Sequence, residues 1–257
     1  MNKKIKKIIH KKNKSKIVCL TAYSKKMASI IDQDCDIVLV GDSVANVIYG
    51  MPNTHKIELK TIINHAKAVR QGIKNSLMII DMPKGTYKNE KQAKANAKMI
   101  LKQTRCDAIK IESNNKNFQI IKNLVKNRIP VMGHIGYTPQ FKKKFKIYGS
   151  NPSEEKKLLN EAIKIEKAGA FSIVLECIKK DLAKKISKIL KIPTIGIGSS
   201  VHCDGQILVT EDILGMSGFY PKFVKKYVNL NRIIAKTVRK YSIDVKRKKF
   251  PTKKNTF

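Results

Sequence analysis

The sequence predicts an α/β fold, a TIM (β/α)8 barrel, on three observations. Short apolar runs alternate with helix-periodic segments throughout the 257 residues, the pattern of parallel strands joined by helical crossovers. Eight such units can be counted, which favours a closed barrel over an open doubly wound sheet. Most of the runs also end on one polar group: IVLVGD on Asp42, LMIID on Asp81, AIKIE on Glu112, PVMGH on His134 and FSIVLE on Glu176. One barrel routinely occupies this length, so residues 1–257 are expected to form a single domain with a short N-terminal helix and a frayed basic tail from about residue 247.

Residues 4–9 have one apolar face and predict a short helix that plugs the barrel's lower end. Residues 16–22 read as the first strand, followed by a helix from Ser24, an N-cap residue, with Met27, Ala28, Ile30 and Ile31 on one face. Strand two ends at Gly41-Asp42-Ser43, where glycine permits tight packing at the rim, and residues 44–59 form a long irregular loop. A helix over 60–74 leads to strand three, Leu77 to Asp81, whose pairing stops at Pro83 because proline has no donor. Helix 89–104 precedes strand four, Ala108 to Glu112, and helix 118–126 precedes strand five, Ile129 to His134. The basic, irregular stretch after Gln140, up to Ser153, is a candidate lid. Helix 154–168 stops at Gly169, the expected C-terminal cap. Strand six is Phe171 to Glu176, helix 180–190 follows, and strand seven is Pro193 to Gly198. Residues 206–209 complete the set as strand eight, with residues 221–246 largely helical beyond them.

Charge does not point to nucleic acid. The formal net charge is +35, but of the 54 basic residues only six, at 70, 105, 128, 232, 239 and 247, are Arg. Base reading favours bidentate Arg beside stacking aromatics, whereas these Lys residues are scattered over every predicted helix and Trp is absent. Five cysteines, at 19, 35, 106, 177 and 203, form no CxxC pair and fit a reducing, cytoplasmic setting. No apolar run reaches 18 residues, so no membrane partner is expected, and the basic N-terminus lacks the Arg and Ser of a transit peptide.

Barrel strands deliver their C-terminal residues to one rim, so Asp42, Asp81, Glu112, His134 and Glu176 should meet there. Taken singly, each acid could cap the next helix or face water; four together suggest a metal. Hard carboxylate oxygens without a Cys or His pair at ligand spacing fit Mg2+. Glu176 lies in apolar surroundings that raise a carboxyl pKa toward the range of a general base. Lys110 shares a strand face with Glu112 and could meet a substrate carboxylate. His134 could be acid, base, substrate anchor or a structural histidine.

Taken together, VGDS (40–43), IDMP (80–83), IKIE (109–112), GHIGYTPQ (133–140), LEC (175–177), IPTIGIGS (192–199) and DGQILV (204–209) resemble the ketopantoate hydroxymethyltransferase family over residues 16–225. The resemblance implies a barrel of the phosphoenolpyruvate/pyruvate-binding superfamily. It implies transfer of a hydroxymethyl group from 5,10-methylenetetrahydrofolate to 3-methyl-2-oxobutanoate, giving 2-dehydropantoate for pantothenate and coenzyme A synthesis. By the same resemblance Asp42 and Asp81 bind Mg2+ and Glu112 completes its shell through water. Asp42, Ser43, Asp81 and Lys110 contact the oxo acid, and Glu176 is the proton acceptor. A homo-oligomer, a decamer, is also implied; which residues bind folate is not.

The chain departs from the family pattern at Ser24, where Asp is usual, at Val44-Ala45-Asn46, at residues 52–57, at Ser199-Ser200 and in the shortened stretch 141–150. These changes spare the metal and base positions and bear on loop closure and folate affinity. A related Mg2+-dependent lyase is an alternative, although the Lys-Lys-Cys-Gly-His motif of isocitrate-lyase-like enzymes is missing. A non-catalytic barrel binding RNA through its lysines is the alternative from another class.

Overall fold

The computed structural model describes residues 2–114, 117–142, 145–218 and 220–257. Contacts divide the chain into two compact units, Met1–Val209 and Thr210–Phe257.

In the first unit, eight strands close into a parallel barrel in the order of the sequence: β1 (Ile17–Thr21), β2 (Ile37–Val40), β3 (Leu77–Asp81), β4 (Ala108–Glu112), β5 (Val131–Gly136), β6 (Ser172–Glu176), β7 (Thr194–Ile197) and β8 (Gly205–Leu208). Closure is made by β8 on β1, with Ile17 opposite Gly205 and Leu20 opposite Leu208. Every residue of β2, β3, β4 and β5 is buried, as sheets covered by helices require.

The helices are α1 (Lys3–His10), α2 (Lys25–Ile31), α3 (Val44–Val47), α4 (Leu59–Arg70), α5 (Glu90–Thr104), α6 (Phe118–Lys126), α7 (Pro152–Lys167) and α8 (Lys180–Ile189). Their starts follow local chemistry. Ser24 Oγ accepts the Met27 N–H at 3.2 Å, and Asn151 Oδ1 accepts that of Glu154 at 2.9 Å, so each side chain satisfies a donor the helix leaves unpaired. Gly169 follows α7 at φ +93°, the left-handed position expected of it. Helix α1 is the predicted plug: Ile5 and Ile8 join the core of Ile17, Cys19, Ile37, Leu77, Ala108 and Met132 inside the barrel.

Strand five is displaced from its predicted span of 129–134. Pro130 lacks a donor, so pairing begins at Val131 and continues to Gly136, which makes His134 an interior residue of the strand rather than its last. Gly136 itself sits at φ +94°, and a Cβ there would lie 2.0 Å from the Glu176 carbonyl oxygen; only glycine lets β5 and β6 approach at this point. Of the predicted lid, residues 143 and 144 lie outside the described set. The rest includes Tyr148, which bridges Ile178 next to the end of β6.

The second unit holds α9 (Thr210–Ile213) and α10 (Leu230–Lys246), the latter capped by Asn229, whose Oδ1 accepts the Arg232 N–H at 3.1 Å. A 3-10 turn at Lys253–Asn255 follows in the basic tail.

Candidate active site

Sheet register brings the predicted residues together at the upper end of the barrel. Asp81 stands opposite Lys110, Glu112 opposite His134, and Gly136 opposite Glu176. In a parallel sheet opposed residues share a face, so carboxyl groups from three strands and the Lys110 ammonium enter one interior.

At its centre Asp81 is held from two sides. Its Oδ1 accepts from Lys110 Nζ at 2.5 Å and its Oδ2 from the Asp42 backbone N–H at 3.1 Å. Gly41 makes room for this: a Cβ there would lie 2.9 Å from Ser43 Oγ and 3.4 Å from Asp81 Oδ2. Ser43 Oγ in turn lies 2.7 Å from the Tyr23 hydroxyl. Gln140 closes the group, donating from Nε2 to Asp42 Oδ2 at 2.9 Å and from its backbone N–H to Glu112 Oε2 at 2.9 Å. On the other side His134 bridges two acids, Nδ1 standing 3.6 Å from Glu112 Oε1 and Nε2 3.2 Å from Glu176 Oε2. The first contact is longer than a hydrogen bond and the second is within range but unaligned, so both ring nitrogens and Glu112 Oε1 are buried without a hydrogen bond.

The electrostatics follow from this crowding. Burial, with the neighbouring Asp81, raises Asp42 above the ordinary carboxylate range, against the pull of Lys110 and Gln140. Glu112 is pushed well up by burial and then by Asp42. Burial pushes Glu176 up to about 8; Lys110 draws it down while Asp42 and Asp81 add to the rise. For Lys110 burial acts downward, yet Asp81, Glu112 and Asp42 together hold the ammonium above its usual value. His134 is held well below its ordinary value by burial and by the positive charges of Lys110 and Lys142, so its ring is neutral. The site thus pairs one firmly charged cation with several carboxyl groups that cannot all ionise.

All the predicted site residues, Asp42, Ser43, Asp81, Lys110, Glu112, His134 and Glu176, lie at this end of the barrel. Lys110 differs from its sequence reading in one respect: its ammonium is already engaged by Asp81. Sequence reasoning gave no role to Gln140, Tyr23 or Tyr87, although Gln140 closes the GHIGYTPQ stretch and Tyr23 follows the first strand.

The donors fit Mg2+. Asp42 and Asp81 adjoin each other, all available oxygens are hard, and Glu112 keeps one buried oxygen with no partner. Among the described residues no three His, Cys, Asp or Glu side chains gather into a complete site. That is compatible with an ion that takes one or two carboxylates and fills its other positions with water or substrate oxygen.

Comparison with known proteins bears on the family and the fold. The ketopantoate hydroxymethyltransferase family matches residues 2–253. A 3-methyl-2-oxobutanoate hydroxymethyltransferase of Pelagibacter ubique (strain HTCC1062) is 54% identical over 257 residues, covering 100% of both chains. One from Trichodesmium erythraeum (strain IMS101) is 46% identical, covering 96% of each. Among solved structures, a phosphonopyruvate hydrolase complexed with oxalate and Mg2+ superposes with a TM-score of 0.64 at 12% identity, covering 98% of this chain and 93% of that one. A 2,3-dimethylmalate lyase of the PEP mutase/isocitrate lyase superfamily gives 0.64 at 14%, covering 98% and 91%; at such identities these two show the fold alone. The fold, the convergence of strand-end residues and the full-length match to curated relatives together show that the chain belongs to the ketopantoate hydroxymethyltransferase family.

Proposed function

We propose that the family's hydroxymethyl transfer to 3-methyl-2-oxobutanoate proceeds here with Glu176 as the base, Mg2+ in the site and 5,10-methylenetetrahydrofolate as the one-carbon donor. The observation that carries this reading is the placement of a carboxyl group with a pKa of about 8, Glu176, in the same buried interior as the Asp42 and Asp81 pair. Asp42 and Asp81 would hold the ion, with Glu112 joined to it through water. When bound, the ion supplies positive charge that offsets the negative charge growing on the keto oxygen as the neighbouring carbon loses its proton.

The remaining steps belong to the protein. Lys110 and Ser43 hold the oxo acid. The Glu176 carboxylate takes the C3 proton. Water adds to the folate methylene carbon as both of its C–N bonds break, so that tetrahydrofolate leaves and the carbon remains at the level of formaldehyde. The electron pair on C3 forms the bond to that carbon, and its oxygen, which came from water, takes the proton back from Glu176 to become the new hydroxyl. A base whose pKa lies near the operating pH is strong when ionised and still has an ionised fraction to work with. A positive charge arriving beside Asp42 and Asp81 lowers the Glu176 pKa further, in the direction in which Lys110 already acts.

A homo-oligomer, decameric by resemblance, and a cytoplasmic setting belong to the same reading. The five cysteines are free and buried, as suits a reducing compartment. Among the described residues no helix is long and apolar enough to cross a membrane.

The test is conversion of 3-methyl-2-oxobutanoate with Mg2+ and 5,10-methylenetetrahydrofolate by wild type, Glu176→Gln and Asp81→Asn. Loss of turnover in the first variant and of metal-dependent substrate binding in the second is expected. Full activity in both would remove the site assignment.

A further inference from the structure

Gln140 is 1% exposed, and its polar groups span the ends of three strands. Both protons of its amide nitrogen are used, on Asp42 Oδ2 at 2.9 Å after β2 and on the Met82 carbonyl at 3.1 Å after β3. Its Oε1 accepts from the Tyr87 hydroxyl at 2.6 Å, and its backbone N–H donates to Glu112 Oε2, at the end of β4, at 2.9 Å. The orientation of the amide is not arbitrary. Turned over, its oxygen would face a carboxylate and a carbonyl, two acceptors, and lose both bonds.

The turn that carries Gln140 is itself pinned. Phe141 and Lys142 both donate backbone N–H groups to the Thr138 carbonyl, at 2.9 and 2.8 Å. His55 Nε2 lies 2.8 Å from the Pro139 carbonyl, and because a carbonyl only accepts, the proton is on Nε2.

We propose that Gln140 is a positioning residue for a divalent cation: from the loop after β5 it fixes the carboxyl groups of Asp42 and Glu112 in the orientation in which they receive the ion. This rests on the reading of Asp42 and Asp81 as the residues that hold it. The amide takes up one oxygen of Asp42, and the backbone takes up one of Glu112, leaving Glu112 Oε1 without a hydrogen bond. An amide suits the task because it orients a carboxylate without neutralising it. A Lys or Arg at this position would supply the charge that the ion is meant to supply, and would repel it.

The probe is Mn2+ alone, its binding followed by the loss of the free-ion electron paramagnetic resonance signal, with wild type, Gln140→Met and Tyr87→Phe. Gln140→Met keeps the length of the side chain and removes both donors. Tyr87→Phe removes only the hydroxyl that holds the amide oxygen. Each variant's thermal midpoint is recorded alongside. The expected result is Mn2+ binding weakened about 10- to 100-fold in Gln140→Met and about threefold in Tyr87→Phe, the magnitude typical of lost support behind a metal ligand. Wild-type affinity in folded Gln140→Met would overturn the role of Gln140 and leave the metal reading standing. Should Gln140→Met fail to fold, Tyr87→Phe decides, and unchanged affinity there overturns the proposal. No Mn2+ binding by wild type would remove the metal reading, and this proposal with it.

Discussion

His134 Nε2 lies 3.2 Å from Glu176 Oε2, so a ring that burial keeps neutral stands against the carboxyl group that burial keeps largely protonated. A neutral ring in contact with the acid spares it the charge that would lower its basicity. Replacing His134 by Asn is therefore expected to reduce kcat about 10- to 100-fold while KM for the oxo acid changes less than threefold. Steady-state kinetics at saturating folate give both numbers; a rise in KM at constant kcat would make His134 a substrate anchor instead.

Glu176 should leave a mark on stability as well as on rate. Its folded-state value, about 8, lies above the ordinary 4.5, so the folded protein holds this proton more tightly than the unfolded chain. Its favourable contribution is fully present below pH 4.5 and is lost as pH rises through about 8. Glu176→Gln, which cannot ionise, is expected to match wild type near pH 4.5 and to unfold at a higher temperature than wild type near pH 8.5, both without metal. Calorimetry at the two pH values checks this, and an equal gap at both would contradict it.

The buried pair of Lys110 and Asp81 links charge to folding. Their side chains are 6% and 3% exposed and 2.5 Å apart. Lys110→Met leaves a carboxylate without its cation in a site that cannot solvate it, which costs about 3–5 kcal/mol. Denaturant unfolding should show that loss in metal-free buffer and recover part of it in Mg2+, because the ion brings back positive charge. A loss untouched by Mg2+ would argue that no ion binds beside Asp81.

Much of this was legible in the sequence, and the parts that were not share a cause. Strands β3 and β4 have the predicted bounds because each is a short, fully buried run that ends on an acid, apolar throughout in β3 and interrupted only by Lys110 in β4. Strand β5 meets its predicted span only over residues 131–134. Its start depends on Pro130, and its end on Gly136 passing close to Glu176, a contact between strands. Lys110 was readable as a charge on the inner face, but its partner follows from the register that sets it opposite Asp81. Helix α3, in the predicted irregular loop, spans four residues, too few to show a periodicity. Gln140 was the least visible: nothing local marks a loop amide as the group that will touch Asp42, 98 residues earlier. Local pattern specifies the strands and their terminal acids; contacts between loops and strand ends appear only when the barrel closes.

In the proposed reaction Glu176 removes the proton next to the ketone, and hydrogen exchange isolates that step from folate chemistry. Wild type, Mg2+ and 3-methyl-2-oxobutanoate in D2O, with no folate, should show loss of the C3 proton signal by NMR. Glu176→Gln should slow the exchange by about three orders of magnitude, within the span that general-base catalysis contributes, while still binding Mn2+. Exchange in Glu176→Gln at the wild-type rate would contradict the account.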